Sequence, residues 1–181
     1  VDLAGAHPRL LAFSSLPMPA QLRHELLALQ SSGSDELARA ARAAVALSDL
    51  YAEVVEQLLL DATRGLGGNV AELRASVRAI GAHGQTVRHR PEEGYTLQLM
   101  DGARLAERSG IAVVCDFRSA DVAAGGQGAP LVPAFHANAF ADAAKRRVIV
   151  NIGGIANVSL LAPGEPVRGH DTGPGNLLLD L

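Results

Sequence analysis

The sequence predicts an α/β layered fold, on three observations. Helical and strand patterns are interleaved along the chain. The late strands, Ile111 to Cys115 and Val148 to Val150, are continuous apolar runs of the kind found inside a sheet. Polar residues gather just past strand ends: His83 and Gln85, Asp116 and Arg118, Asn151, Asp171. In open α/β sheets that edge is where ligands bind.

The elements follow in order. Leu10 to Leu16 predicts a strand that stops at Pro17 and Pro19, which lack ladder donors. Pro19 to Leu29 predicts a helix with Leu22, Leu26 and Leu29 on one face. A long helix follows, with Ser34 as its N-cap and Asp35 and Glu36 in its first turn. Its expected buried stripe is Leu37, Ala41, Val45, Ser48, Tyr51, Val55, Leu58 and Ala62, and Gly65, Gly67 and Gly68 end it. Val77 to Ile80 predicts a short buried strand running into a polar loop, Gly81 to Thr86. Tyr95 to Leu99 predicts a strand and Asp101 to Arg108 a helix ending at Gly110. Ile111 to Cys115 predicts a strand buried on both faces, followed by a loop carrying Asp116, Arg118 and Asp121. Leu131 to Asp142 reads as a helix, and the composition changes at Ala143 to Arg147, where a hinge between domains is expected.

The last stretch is the most informative. Val148 to Val150 leads to Asn151 and the pair Gly153-Gly154, and Val158 to Leu161 returns. A third strand near Val167 is expected to deliver Asp171 onto a Gly-Pro-Gly loop that opens a helix. Backbone amides freed at such a turn hold phosphate oxygens, and an adjacent Asp can take a proton from a hydroxyl or water. Gly153-Gly154 taken alone favours a plain hairpin turn, and Asp171 alone equally makes a helix cap. Asn151, Asn157 and the second glycine loop favour the phosphate reading. Thr172 to Gly175, lying between Asp171 and its helix, favours a carboxylate facing a cleft.

Bulk properties narrow the class. The 181 residues are 48% hydrophobic and 19% charged, the profile of a globular protein. A net charge of −3 argues against a dedicated nucleic-acid surface. Four Phe, two Tyr and no Trp leave no stacking platform. Cys115 stands alone, so no disulfide framework exists and a reducing compartment fits. No run is long enough to span a membrane. The chain lacks an initiating Met, opens on what reads as a strand tail and closes on what reads as a helix start. It is therefore expected to be an internal fragment. His83, His89, His136 and His170 with Asp116 and Asp121 lack zinc-site spacing, so no protein-ligated metal is expected. His89 and His136 read as surface or packing residues, and Cys115 as an inert thiol. Arg118 has two open readings: a salt bridge to Asp116 or Asp121, or a bidentate clamp on a ligand carboxylate or phosphate.

Four stretches together resemble the anhydro-N-acetylmuramic acid kinases: GAHGQTVRHRP, YTLQLMDGARLAERSGIAVVCDFRSADVAAGGQGAPLVPAFHANAF, NIGGIANVSLL and GHDTGPGNLLLD. They cover most of Gly81 to Asp180. The resemblance implies an ATPase of the actin and sugar-kinase (ribonuclease H-like) type, with two α/β domains and ATP in the cleft between them. Residues 1–143 would be an N-terminal α/β domain lacking its first phosphate hairpin. Residues 144–181 would begin the second ATPase domain, truncated. The implied reaction hydrolyses the 1,6-anhydro bridge and phosphorylates the sugar to N-acetylmuramic acid 6-phosphate in bacterial cell-wall recycling. ATP and Mg2+ are the implied cofactors, the cation being held mainly by phosphates and water.

The resemblance assigns Asp171 as catalytic base. It assigns Asn151, Gly153, Gly154 and Gly173 to the ATP phosphates, and Thr96, Gln98, Arg118 and His83 to the sugar, with Gln85 beside His83. It implies a cytoplasmic enzyme acting on 1,6-anhydro-N-acetylmuramic acid and leaves a homodimer open. The chain as it stands is expected to be inactive. A kinase for acetate or a hexose, and a non-enzymatic actin-like or chaperone-like nucleotide-binding module, are the alternatives.

Overall fold

The computed structural model describes residues 1–3, 5 and 8–176. The helix expected beyond Asn176 lies outside the described residues. Six α-helices and seven β-strands among them make the chain mixed α/β, as predicted. They fall into two compact units, Leu10–Gly125 with Val1, and Gly126–Leu181 with Asp2–Arg9.

In the first unit, residues 10–19 form neither helix nor strand, contrary to expectation. Leu10 and Phe13 are largely exposed, and no described strand pairs with the segment. Helix α1 (Ala20–Ala28) buries Leu26. Helix α2 (Glu36–Leu66) is capped by Asp35, not Ser34, in a left-handed conformation at φ 50° and without a side-chain capping bond. Its buried residues are Ala43, Leu47, Ser48, Ala52, Leu59 and Ala62, while Leu37 is 89% exposed. The stripe is thus rotated from the expected one. An alanine- and leucine-rich helix offers several apolar stripes at helical spacing, and tertiary packing selects among them.

Helix α3 (Val70–Ser76) is capped by Asn69, whose side chain accepts from Glu72 N at 2.9 Å. It occupies the segment just before the expected strand, so pairing begins only at β1 (Ile80–Gly81). Strand β2 (Gln85–Arg90) overlaps the expected polar loop. After a short 3-10 turn at Pro91–Glu93, it pairs antiparallel with β3 (Tyr95–Leu99). Helix α4 (Gly102–Ser109) is capped by Asp101, which accepts from Arg104 N at 2.9 Å. Strand β4 (Val113–Val114) pairs parallel with β1. It is shorter than expected and open on one side, with Val114 54% exposed. Helix α5 (Phe117–Ala123) stands where a loop was expected.

Helix α2 organises this unit by packing on α1, α3, α4 and β3. Ser48 Oγ, fully buried, accepts from Asp101 N at 2.9 Å and so fixes the start of α4. Asp49 holds Arg104 by two bonds of 2.7 and 2.9 Å, and the Arg104 guanidinium keeps the Asp49 carboxyl below its usual range.

In the second unit, helix α6 (Val132–Phe140) precedes an antiparallel sheet of β5 (Arg147–Ile152), β6 (Ile155–Leu161) and β7 (Arg168–Pro174), in that order. The helix packs on β6, with a buried bond of 2.8 Å between His136 Nδ1 and Ser159 Oγ. A Cβ on Gly169 would lie 2.4 Å from Pro133 Cγ, so this glycine admits the helix. The units therefore divide at Gly125–Gly126, ahead of the expected hinge, because α6 belongs with the strands that follow it.

Candidate functional site

Two polar clusters hold the residues singled out in the sequence, one in each unit. In the first unit, the chain leaves β1 through Ala82 and His83 into Gly84. Gly84 has φ +72°, and a Cβ there would lie 2.4 Å from the Leu99 carbonyl oxygen. Only glycine fits both conditions. The Gly84 backbone also hydrogen-bonds the Tyr51 phenol of α2, whose ionisation is pushed up by burial.

This turn aims His83 at α5. Arg118 Nε–H donates to His83 Nε2 at 2.9 Å, so Nδ1 carries the ring proton and donates to the Gly84 carbonyl at 2.8 Å. Asp116, the N-cap of α5, has φ 58°. It accepts from Ser119 Oγ at 2.5 Å. A left-handed non-glycine residue two positions before Arg118 stores local strain near a predicted ligand group. His83 and Arg118 therefore meet.

Helix α5 packs on β3, which carries Thr96 and Gln98. Gln98 Nε2 donates to Thr96 Oγ1 at 2.7 Å and to Thr86 Oγ1 at 3.3 Å. Thr96 is 5% exposed, and its hydroxyl also meets His89 Nδ1 at 3.0 Å. The Thr96 hydroxyl is thus engaged by protein, whereas the buried Gln98 Oε1 has no donor among the described residues. Gln85 does not join His83. It lines a separate cavity of about 530 Å³ with Pro17, Met18, Arg23, Leu26 and Gln30.

Gly84→Ala is expected to destabilise the chain by about 2–4 kcal/mol, combining left-handed strain with a backbone clash. Thermal unfolding measures it, and an unchanged midpoint would refute the tight fit described here.

In the second unit, β5 and β6 are joined through Gly153 and Gly154. Neither lies in the left-handed region. A Cβ on Gly154 would meet nothing within 4 Å, and one on Gly153 only Ile155 O at 3.7 Å. The fold does not itself require these two glycines. Their carbonyls are taken: Gly175 N–H donates to Gly154 O at 2.8 Å and Asn176 N–H to Gly153 O at 2.9 Å. Their own N–H groups make no turn hydrogen bond among the described residues. The two glycine segments noted in the sequence are therefore laced together, with donors left over. Gly173 has φ +137° and no neighbour within 4 Å of a built Cβ.

Asp171 lies within β7, not on a loop beyond it. A register shift beside Ala156, which pairs with Gly173, leaves Asp171 directly opposite Asn157, and Asn157 faces Asn151 on β5. Asn151, Asn157 and Asp171 thus form one cross-strand row with side chains on one face. The Asp171 carboxylate is exposed and makes no hydrogen bond or ion pair among the described residues. No group of three or more His, Cys, Asp or Glu among the described residues is placed to hold a metal ion. The sequence counted Asn157 only in favour of a phosphate turn and did not pair it with Asp171, although the spacing Asn151-x5-Asn157 around a glycine turn places both asparagines at the turn.

A family model described as anhydro-N-acetylmuramic acid kinase matches residues 1–181, the whole chain. The chain belongs to the anhydro-N-acetylmuramic acid kinase family. Its relatives of that name include the Bordetella petrii protein, 60% identical over 98% of this chain and 44% of its own length. The Bordetella pertussis protein is 61% identical over 99% of this chain and 45% of its own length. That of Pseudomonas putida is 53% identical over 97% of this chain and 46% of its own length. The chain spans under half the length of the kinases it matches. No helix among the described residues is long and apolar enough to cross a membrane.

Proposed function

We propose that this chain is part of a carbohydrate kinase that opens a 1,6-anhydro-N-acetylmuramic acid ring and phosphorylates it to N-acetylmuramic acid 6-phosphate. The observation that carries this reading is the unpartnered Asp171 carboxylate, in one row with Asn151 and Asn157, beside a glycine turn whose amides are unspent. A water loses one proton to Asp171 as its oxygen bonds to the anomeric carbon. The anomeric bond to the bridging oxygen breaks, and the freed electron pair attacks the γ-phosphorus of ATP, releasing ADP. Asp171 then returns its proton to solvent.

The Gly153 and Gly154 N–H groups are suited to phosphate oxygens, since space remains where a side chain would stand. Asn151 and Gly173 flank the same turn. Magnesium travels with the nucleotide phosphates and needs no protein cage. On the sugar side, Arg118 and His83 form one polar pair, and Gln98 presents a buried acceptor to a substrate hydroxyl or amide N–H. Thr96 orients Gln98. We read the unit Leu10–Gly125 as belonging to the first domain of an actin and sugar-kinase type ATPase without its first phosphate hairpin, and the unit from Gly126 as the start of the second. The whole enzyme acts in the cytoplasm in peptidoglycan recycling.

The test is ATP-dependent turnover by the full-length protein against a panel of anhydro-muramic acid, a hexose and acetate. Turnover of the anhydro sugar with formation of ADP is expected. Preference for either other acceptor, or nucleotide binding without any transfer, would sink the reading.

A further inference from the structure

We infer that Asn157 holds, together with Asp171, the water that opens the sugar, its side-chain oxygen accepting the O–H that Asp171 does not take. The inference deepens the proposed reaction and rests on it. Asn157 Oδ1 is buried and has no donor among the described residues. Buried acceptors are nearly always satisfied, so this one marks a place for a bound donor. Its strand register sets it directly opposite Asp171. Opposed residues of an antiparallel pair keep their Cβ atoms roughly 4.5–5.5 Å apart.

The surroundings fix this pair. Thr172 is the extra residue of the β7 bulge, and its Oγ1 donates to Ala156 O at 3.1 Å. That bond holds the register that brings Asp171 to Asn157. Ser159 and Gly169 form the next row on the same face, and α6 covers it through His136 and Pro133. The Asn157–Asp171 row therefore lies next to a row that a packed helix covers.

A water under attack by a base has two O–H bonds. One points at the base and breaks. The other needs an acceptor, or its oxygen lone pair is free to swing away from the carbon. A neutral carboxamide is suited to this task, because it accepts a hydrogen bond without competing for the proton. Asp171 takes the proton and Asn157 sets the direction of the attacking lone pair.

The experiment measures kcat, KM and the pH profile of the full-length enzyme and of Asn157→Leu and Asn157→Asp. Asn157→Leu is expected to lower kcat about 10–100-fold. KM for sugar and nucleotide should stay within about threefold, and the acid limb of the profile should not move, because no charge is changed. Asn157→Asp keeps an acceptor but sets a second carboxylate opposite the base, so the acid limb should move to higher pH. A structural role for Asn157 would lower thermal stability and leave that limb in place. Wild-type kcat in Asn157→Leu overturns the inference. Should Asn157→Leu not fold, an unmoved acid limb in Asn157→Asp overturns it alone. Absence of anhydro-sugar turnover in the wild type refutes the proposed function itself, a result separable from either of these.

Discussion

Asp171→Asn in the full-length enzyme is expected to lower kcat by about 10²–10⁴-fold, the usual worth of a general base. Nucleotide affinity should be unchanged. The substitution replaces one oxygen by NH2 and keeps the shape of the side chain. It removes no bond of the fold, because the carboxylate makes none among the described residues. Its backbone sits in the β6–β7 ladder opposite Asn157, where an amide is as well accommodated as an acid. The thermal midpoint is therefore expected to stay at the wild-type value while turnover collapses. Steady-state kinetics, calorimetric nucleotide titration and thermal unfolding of one preparation separate these effects. Turnover near the wild-type rate removes Asp171 as the base. Lost stability together with lost turnover would instead return Asp171 to a structural role. The strand setting of Asp171 already speaks against that role: a helix cap sits at the mouth of its helix, and Asp171 lies inside β7.

How much of this was legible depended on whether the signal was local. The α4 helix could be read almost to the residue, because Asp101 caps it and Gly110 closes it at φ 67°. Strand β3 followed from alternation, and β5 and β6 from apolar runs around a glycine pair. Helix α3 was missed although Asn69 and Glu72 carry the capping spacing, because Gly65, Gly67 and Gly68 read only as the end of the long helix before it. Strand β2, with the sequence QTVRHR, buries only Val87 and so shows no apolar alternation. The segment from Leu10 to Leu16 has strand-like residues but no partner among the described strands, and composition cannot supply one.

For the site, residue types were readable and pairings were not. His83 and Arg118 are 35 positions apart, and only the left-handed turns at Gly84 and Asp116 bring them together. The Asn157–Asp171 opposition depends on a single-residue bulge at Thr172. One residue more or less in that bulge would turn the carboxylate to the other face of the sheet.

The contrast between Gly175 and Gly154 tests the glycine turn as a phosphate site apart from its role in folding. A Cβ on Gly175 would lie 2.1 Å from the Gly153 carbonyl oxygen and 3.3 Å from Ile152 Cγ2. The first obstacle is backbone, so a small side-chain movement cannot relieve it. Gly175→Ala must push its segment off the turn and stretch or break the bonds from Gly175 N to Gly154 O and from Asn176 N to Gly153 O. Two such bonds and the forced displacement together cost about 2–5 kcal/mol. Gly175→Ala is therefore expected to lower the thermal midpoint markedly and to reduce nucleotide binding as a consequence. Gly154→Ala meets nothing within 4 Å, and its backbone is not left-handed. Its midpoint should stay at the wild-type value. Its methyl group, however, would stand where a phosphate oxygen approaches the amides, and phosphoryl transfer should fall by about 10²-fold, the worth of one oxyanion donor. Calorimetric unfolding and kinetics on both variants of the full-length enzyme decide the matter. If Gly154→Ala transfers phosphate at the wild-type rate, the turn is an ordinary hairpin and its amides face no ligand. If both variants lose stability equally, Gly154 is needed by the fold, and the space beside it is not kept for phosphate.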